Sequence, residues 1–170
     1  MIEPTEKLQA FQQRLQARLN ENKTEQTNSR LGVVIGDARY LIDLSEAGEI
    51  LPVPDAFSKV PGTQPWFYGL TNLRGALFGV TDLAMFIGEQ PKPYGKDARL
   101  VAFSDRLEVN SAILVNKMMG LQNMASMAAD PDGDDSGWMG RCYLDAAGTE
   151  WRELHLARLC LDFRFLTITH

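Results

Sequence analysis

The spacing of apolar residues along the chain changes near residue 30. Before that point, large apolar residues recur every three or four positions between Thr5 and Asn20, at Leu8, Phe11, Leu15 and Leu19. This repeat is that of an amphipathic helix, and it predicts an N-terminal helix over residues 1–20. Residues 21–30 contain no large apolar residue and are expected to form a mobile linker. We expect the helix to dock on the body of the protein, with a partner protein as the alternative.

From Leu31 onward, short β-prone runs alternate with turn residues. Hairpins are predicted where two runs flank glycine or aspartate, at residues 31–44, 70–82, 99–115 and 138–156. A further extended piece is predicted at 49–52, and short helices at 82–87 and 157–165. The resulting count, about eight to ten short strands at close spacing, favours a mainly β protein built from small barrels over a long-stranded sandwich or a βαβ sheet.

A break rich in proline and glycine lies between Glu89 and Lys96. Such a break ends any regular period, so it is a plausible boundary between two halves of one compact body, roughly residues 31–90 and 98–165. Hairpins are predicted in both halves, but the halves share no sequence repeat. They are not expected to be strictly separate.

The residue order of the stretch 67–83 is more specific than an ordinary hydrophobic core would require. Its two β-prone arms flank Gly75, which predicts a hairpin that turns there. Asn72 and Arg74 are two apart and therefore share one face of a strand, whereas Leu73 points to the other. An arginine at a hairpin tip can present its donors to a partner's carboxylate or backbone. The alternative is a surface arginine that pairs within its own protein.

Composition and charge exclude some classes of function. The chain has 170 residues, 45% of them hydrophobic, and a formal net charge of −5. A mildly acidic chain argues against partners such as nucleic acid or an anionic membrane surface, which select basic patches. The sequence has no long apolar run, and its first residues lack the pattern of a signal peptide, so a cytoplasmic protein is expected.

The common catalytic and metal motifs are absent from the sequence, which predicts neither an enzyme nor a cofactor or metal site. Cys142 and Cys160 form no Cys-x-x-Cys pair and are expected to be buried or idle thiols. The acidic stretch 130–137 lacks the glycine and glutamate of a calcium-binding loop. His155 lies in an alternating run and is expected to be an exposed or hydrogen-bonded strand residue.

The order of residues 68–75, Tyr-Gly-Leu-Thr-Asn-Leu-Arg-Gly, followed by Val-Thr-Asp-Leu at 80–83, closely resembles the signature of the CheW-like domain. That signature usually reads Gly-Val-Ile-Asn-Leu-Arg-Gly and then Pro-Val-Ile-Asp-Leu. The resemblance covers residues 31–88 well and 98–161 loosely. This chain departs from the family pattern at Gly79, where proline is usual, at Asn116, and in the stretch 130–137.

The resemblance implies a fold and a set of partners. The family fold is two small five-stranded, SH3-like β-barrels packed around a shared core, here with an N-terminal helix and a short C-terminal helix added. The implied function is a non-catalytic adaptor that binds a chemoreceptor's cytoplasmic tip and the regulatory domain of a CheA-type histidine kinase. The receptor's helical hairpin would lie in a groove between the barrels, and the kinase domain on the barrel ends.

The resemblance also implies which residues bind the receptor. The matching hairpin positions are Asn72, Leu73, Arg74 and Gly75. Leu31 and Leu44 are candidates for apolar contacts beside the hairpin, and Glu49 for a partner of Arg74. For Leu73 and Leu44, a place in the protein's own core is the alternative.

The N-terminal helix and the divergent second half are more similar to the adaptors of systems that control twitching motility by type IV pili than to flagellar adaptors. A flagellar coupling protein is therefore one alternative. A β-barrel that senses a small ligand is another, and it would require an internal cavity.

Overall fold

The computed structural model describes residues 4–90 and 92–169. Within those residues the chain forms four helices and eleven strands. In chain order they are α1 (Pro4–Asn28), β1 (Ser29–Ile35), β2 (Ala38–Asp43), β3 (Ala47–Pro52), β4 (Phe67–Leu73), β5 (Ala76–Thr81), α2 (Leu83–Phe86), β6 (Arg99–Phe103), β7 (Ser111–Val115), β8 (Lys117–Asn123), β9 (Ala128–Ala129), β10 (Met139–Leu144), β11 (Glu150–Leu154), α3 (Leu156–Leu159) and α4 (Phe163–Leu166).

Helix α1 runs further than the sequence predicts. It continues through Asn28 and meets β1 directly, so it occupies most of the stretch 21–30 that was expected to be a linker. The stretch lacks apolar residues, but it contains Glu, Lys and Gln, which favour helix without any packing. Three residues of the apolar stripe are also not docked, because Leu8, Phe11 and Leu15 are 57%, 62% and 50% exposed. The expectation that α1 docks on the body is therefore wrong.

The four predicted hairpins are all present. They are β1 with β2, β4 with β5, β6 with β7, and β10 with β11, each pair antiparallel. In the first hairpin Ile35 is paired with Ala38, so Gly36 and Asp37 form a two-residue turn, with φ of +63° at Gly36. The predicted helix over 157–165 is instead the two single turns α3 and α4.

Two sheets organise the strands. Sheet one has the order β8-β1-β2-β11-β10-β9, and sheet two has the order β3-β6-β7-β5-β4. The prediction of a mainly β fold is confirmed, and the strands form one six-stranded and one five-stranded sheet. The sheets do not follow the predicted halves 31–90 and 98–165, because sheet one joins β1 and β2 to β8–β11 and sheet two contains β3–β7. The parallel pairing of β2 with β11 brings the two ends of the chain into one sheet.

Two hydrophobic clusters fill the interior, and strands β6 and β7 contribute to both. Val101 and Ile113 belong to the larger cluster, which also contains core residues of sheet one. Leu100 and Leu114, their neighbours along the same strands, belong to the smaller cluster. All four side chains are fully buried. Helices α3 and α4 add to the larger cluster, where the ring of Phe165 stacks on Phe103.

None of the helices in the described part of the chain is both long enough and apolar enough to span a lipid bilayer.

Because β7 carries both clusters, we predict that the body unfolds as one unit. Ile113→Ala and Leu114→Ala remove neighbouring side chains that face opposite clusters. Each should lower the free energy of unfolding by about 2–5 kcal/mol, the usual cost of such a cavity. Both should shift a single denaturant transition seen identically by circular dichroism and tryptophan fluorescence.

The control for this pair is Leu77→Ala on β5, because Leu77 is 59% exposed. Its cost should be below about 0.5 kcal/mol, as for most surface substitutions. Two separate transitions, each moved by only one of the two core substitutions, would contradict a single unfolding unit.

Candidate partner-binding surface

The tip of the β4–β5 hairpin is a tight two-residue turn. Leu73 is paired with Ala76, which leaves Arg74 and Gly75 between the strands. Both have positive φ, +52° and +83°, as a type I′ turn requires. Gly75 adopts this conformation without strain, whereas a side-chain-bearing residue such as Arg74 does so at a cost of about 1–2 kcal/mol. Arg74 therefore occupies a turn position at which glycine or asparagine would be less strained.

The side chain of Asn72 stabilises this turn. Its Oδ1 accepts a hydrogen bond of 2.9 Å from the backbone N–H of Gly75. Asparagine side chains commonly bond to nearby backbone in this way. The order Asn-Leu-Arg-Gly is thus explained locally, since Asn72 and Gly75 build the turn between the two strands.

Glu49 holds the guanidinium of Arg74. The Nε atom of Arg74 lies 2.9 Å from Glu49 Oε2, and Nη2 lies 3.2 Å from Oε1. Glu49 is on β3, which is at one edge of sheet two, whereas β4 is at the other edge. The ion pair therefore connects the hairpin tip to the opposite edge strand of the same sheet. The Arg74 side chain is 82% exposed, so the pair orients the guanidinium and adds at most about 1 kcal/mol of stability.

A groove of about 560 Å³ lies beside this ion pair. Its lining combines the hairpin tip, strand β3 and the turn between β6 and β7, namely Gly48, Glu49, Leu73, Arg74, Ala76, Phe78, Ala102, Phe103, Ser104, Asp105, Arg106 and Asn110. Gly48 has no room for a side chain, because a Cβ there would lie 2.8 Å from the carbonyl oxygen of Phe103. The groove offers an apolar floor with two arginines and two carboxylates at its margins.

Leu73 lies between the core and the groove. It packs against the smaller hydrophobic cluster, and it also lines the groove. Leu31 and Leu44 are placed elsewhere. Leu31 is 6% exposed and is part of the larger cluster, and Leu44 is half-buried against that cluster. Neither residue lines the groove.

Phe78, Asp105 and Arg106 also line the groove, and none of them was predicted from the sequence. Phe78 lies in the signature hairpin itself, and its position two residues after Ala76 could have indicated that both share a face. Asp105 and Arg106 follow β6, and the pairing of Ala47 with Phe103 brings their turn next to β3. That pairing joins residues far apart in the chain, so no local pattern reveals it.

The second half of the signature, Val-Thr-Asp-Leu, is structural. Asp82 is fully buried and caps α2, with its Oδ1 accepting a 3.0 Å hydrogen bond from the N–H of Met85. Burial, together with the negative charge of Asp82, raises the pKa of Tyr94, which therefore stays a neutral phenol. Gly79, where the family usually has proline, donates its N–H to the carbonyl of Asn110 at 3.0 Å, a bond that proline could not make.

The cysteines are free thiols. Cys160 is buried and Cys142 is half-buried. Burial raises the pKa of Cys160 to about 11, so this thiol is protonated and unreactive at neutral pH. The residues whose positions could suit a metal ion, within the part of the chain that is described, are Asp135, Glu153 and His155, which lie in and next to sheet one.

The protein thus has two sheets with a shared core, and sheet two carries an exposed groove lined by apolar and charged side chains. The chain belongs to the CheW family, because residues 29–159 match the model of the CheW-like domain. Members of this family are scaffold proteins and are generally non-catalytic. The chain therefore contains a CheW-like domain over most of its length.

Similar proteins support this membership. Protein PilI of Pseudomonas aeruginosa is 30% identical over 103 residues, which cover 61% of this chain and 57% of that protein. Chemotaxis protein CheW of Helicobacter pylori is 30% identical over 79 residues, which cover 46% of this chain and 47% of that protein. The chain thus spans about half the length of these relatives.

The fold also resembles a solved structure. The scaffolding protein TtCheW from Thermoanaerobacter tengcongensis superposes with a TM-score of 0.66 over 84% of this chain and 97% of that chain. The two are 17% identical, so the likeness concerns the fold.

The turn geometry predicts a specific cost for filling Gly75. Gly75→Ala should lower the free energy of unfolding by about 1–2 kcal/mol, because alanine is strained at a positive φ. The matched control is Gly95→Ala. A Cβ would meet nothing within 4 Å at either position, but only Gly75 has a positive φ.

Urea denaturation of the two variants measures the difference. Gly95→Ala should be neutral or slightly stabilising, since alanine reduces the freedom of the unfolded chain. Equal unfolding free energies for the two variants would contradict the left-handed turn.

Proposed function

We propose that this protein couples a methyl-accepting chemoreceptor to a CheA-type histidine kinase in a system that controls twitching motility by type IV pili. The protein acts as a non-catalytic adaptor in the cytoplasm and reaches the receptor array through its partners. Membership of the CheW family supports the coupling role, and the likeness to PilI supports the pilus system. The kinase would be bound through its regulatory domain.

The observation that carries the proposal is that Glu49 holds the guanidinium of Arg74 in a defined position. The turn keeps Arg74 in a strained conformation, and Glu49, whose side chain is 36% exposed, holds the largely exposed Arg74 side chain. This arrangement adds little stability, so a role in recognition accounts for it better than a role in folding.

The chemistry of the groove suits a helical hairpin of a receptor. Leu73 and Phe78 offer apolar contact area, and the nearby carboxylates and arginines can each meet an opposite charge. Interfaces of this kind depend on a few apolar anchors and oriented polar groups. In the proposed complex, Arg74 donates to a carboxylate or a carbonyl on the receptor tip, and Glu49 keeps its guanidinium in place.

A flagellar chemotaxis adaptor is the second candidate. The specific observation in its favour is the identity with the CheW of Helicobacter pylori, which equals that with PilI but extends over fewer residues. Co-purification from the native cell separates the two candidates, since the bound kinase and receptor would belong to either the pilus or the flagellar system.

Substitutions at Arg74 test the recognition role. Arg74→Glu should weaken binding of a receptor cytoplasmic hairpin fragment at least about tenfold, because reversing a charge at an oriented contact introduces repulsion. Arg74→Asn should weaken it similarly while keeping the turn, since Asn-Gly is a favoured type I′ pair. Binding of the kinase regulatory domain should be unchanged in both. Isothermal titration calorimetry measures each affinity.

The control for charge is Arg141→Glu, because Arg141 is exposed on β10 in sheet one, away from the groove residues. It should leave receptor binding unchanged. Thermal melting of every variant verifies the fold. Unchanged receptor binding by folded Arg74→Glu would contradict the assignment of this surface.

A further inference from the structure

Three side chains of metal-binding type converge at one end of sheet one. The Nε2 atom of His155 lies 3.1 Å from Glu153 Oε2 and 3.4 Å from Asp135 Oδ1. All three ligand atoms lie within 4.8 Å of one another. Glu153 is on β11, His155 follows directly after that strand, and Asp135 belongs to the loop before β10. The cluster therefore joins a loop to the end of a strand.

The neighbouring Gly140 leaves the space between these three groups open. A Cβ at Gly140 would lie 2.5 Å from His155 Nε2, 2.7 Å from Glu153 Oε2 and 3.0 Å from Asp135 Oδ1. Gly140 is not among the glycines with positive φ, so its backbone conformation does not require glycine. Space is what excludes a side chain here, and the three polar atoms all face that space.

Surrounding groups hold the three side chains in place. The hydroxyl of Tyr143 donates to Glu153 Oε1 at 3.0 Å, which leaves Oε2 to face His155. The backbone N–H of His155 donates to the carbonyl of Trp138 at 2.7 Å. Such contacts around a ligand orient it, as the outer shell of a metal site does.

Arg158 fixes the loop that carries Asp135. Its Nη1 atom donates to the backbone carbonyls of Asp135 at 2.6 Å and Gly137 at 3.1 Å, and to Asp135 Oδ1 at 3.3 Å. A carboxylate oxygen has more than one lone pair, so Oδ1 can accept from Arg158 and still bind a cation.

The separations of His155 Nε2 from the two carboxylate oxygens, 3.1 and 3.4 Å, are close to those of ligands around one small metal ion. Bonds of 2.0–2.2 Å in a tetrahedral arrangement place neighbouring ligand atoms about 3.3–3.6 Å apart. A hydrogen bond from Nε2–H to the carboxylates and a metal ion between the three atoms are the two arrangements that fit this geometry. Nitrogen and oxygen ligands of this kind suit Zn²⁺ and similar ions.

We propose that Asp135, Glu153 and His155 form a binding site for a divalent transition metal ion of the Zn²⁺ type. The protein provides three ligands, and water completes the coordination, since the Asp135 and His155 side chains are 39% and 23% exposed. The ion ties the 130–137 loop, which has no counterpart in the family signature, to the end of β11. The site is separate from the groove of sheet two, so it does not depend on the proposed receptor contact.

Metal binding to the full-length protein tests the proposal. Protein treated with a chelator and then freed of it should bind one equivalent of Zn²⁺ in competition with a chromophoric chelator. His155→Gln and Glu153→Gln should each weaken binding at least about tenfold, because each removes a charged or nitrogen ligand. The matched control is His170→Gln, which removes the other histidine in the sequence and should leave the affinity unchanged.

Two further measurements distinguish a metal site from a hydrogen-bonded cluster. Co²⁺ should give the intense visible absorption of a tetrahedral site in the parent protein and lose it in His155→Gln. Zn²⁺ should raise the melting temperature of the parent, but not of Gly140→Ala, whose Cβ would fill the site. Absence of stoichiometric Zn²⁺ binding, or equal affinities in the parent and in folded His155→Gln, would overturn the proposal.

Discussion

The burial of β6 and β7 on both faces is the constraint on which the rest of the fold depends. Every residue of β7 is buried, and so is every residue of β6 after Arg99. A strand that is buried on both faces needs apolar cover on each side, which the larger and smaller clusters supply. Sheet one, α3 and α4 contribute to the larger cluster. The outer strands of sheet two and the loops after β3 and before β6 contribute to the smaller cluster.

The position of the hairpin tip follows from this arrangement. Strand β5 pairs in parallel with β7, so the register of the signature hairpin is set by the most buried strand of the molecule. The tip extends from that anchor toward β3, where Glu49 meets Arg74. The strained turn persists because the strands on either side of it are fixed by the core. A well-packed interior thus presents one exposed guanidinium in a defined position.

The sequence predicts those features of the fold that depend on residues close together in the chain. Each of the four hairpins has turn residues of its own between two β-prone runs, and so the antiparallel pairs could be predicted without a structure. The pairing of β2 with β11 joins residues more than a hundred positions apart, and no local pattern specifies it. For the same reason, no local pattern indicates that each sheet combines strands from both predicted halves. Leu31 is another example, because an apolar residue in a strand looks the same whether it faces a partner or the core.

The family signature therefore describes how the turn is built more than what it recognises. Gly75 provides the left-handed conformation, Asn72 bonds to its N–H, and Asp82 caps the helix that follows. Of the signature residues considered, Arg74 is the one whose side chain is both charged and largely exposed. The groove residues Asp105 and Arg106 lie outside the signature, in the connection between β6 and β7. We therefore expect differences in partner among proteins that share this signature to arise at groove positions such as Asp105 and Arg106. Substitutions within the β4–β5 turn would instead alter the hairpin itself.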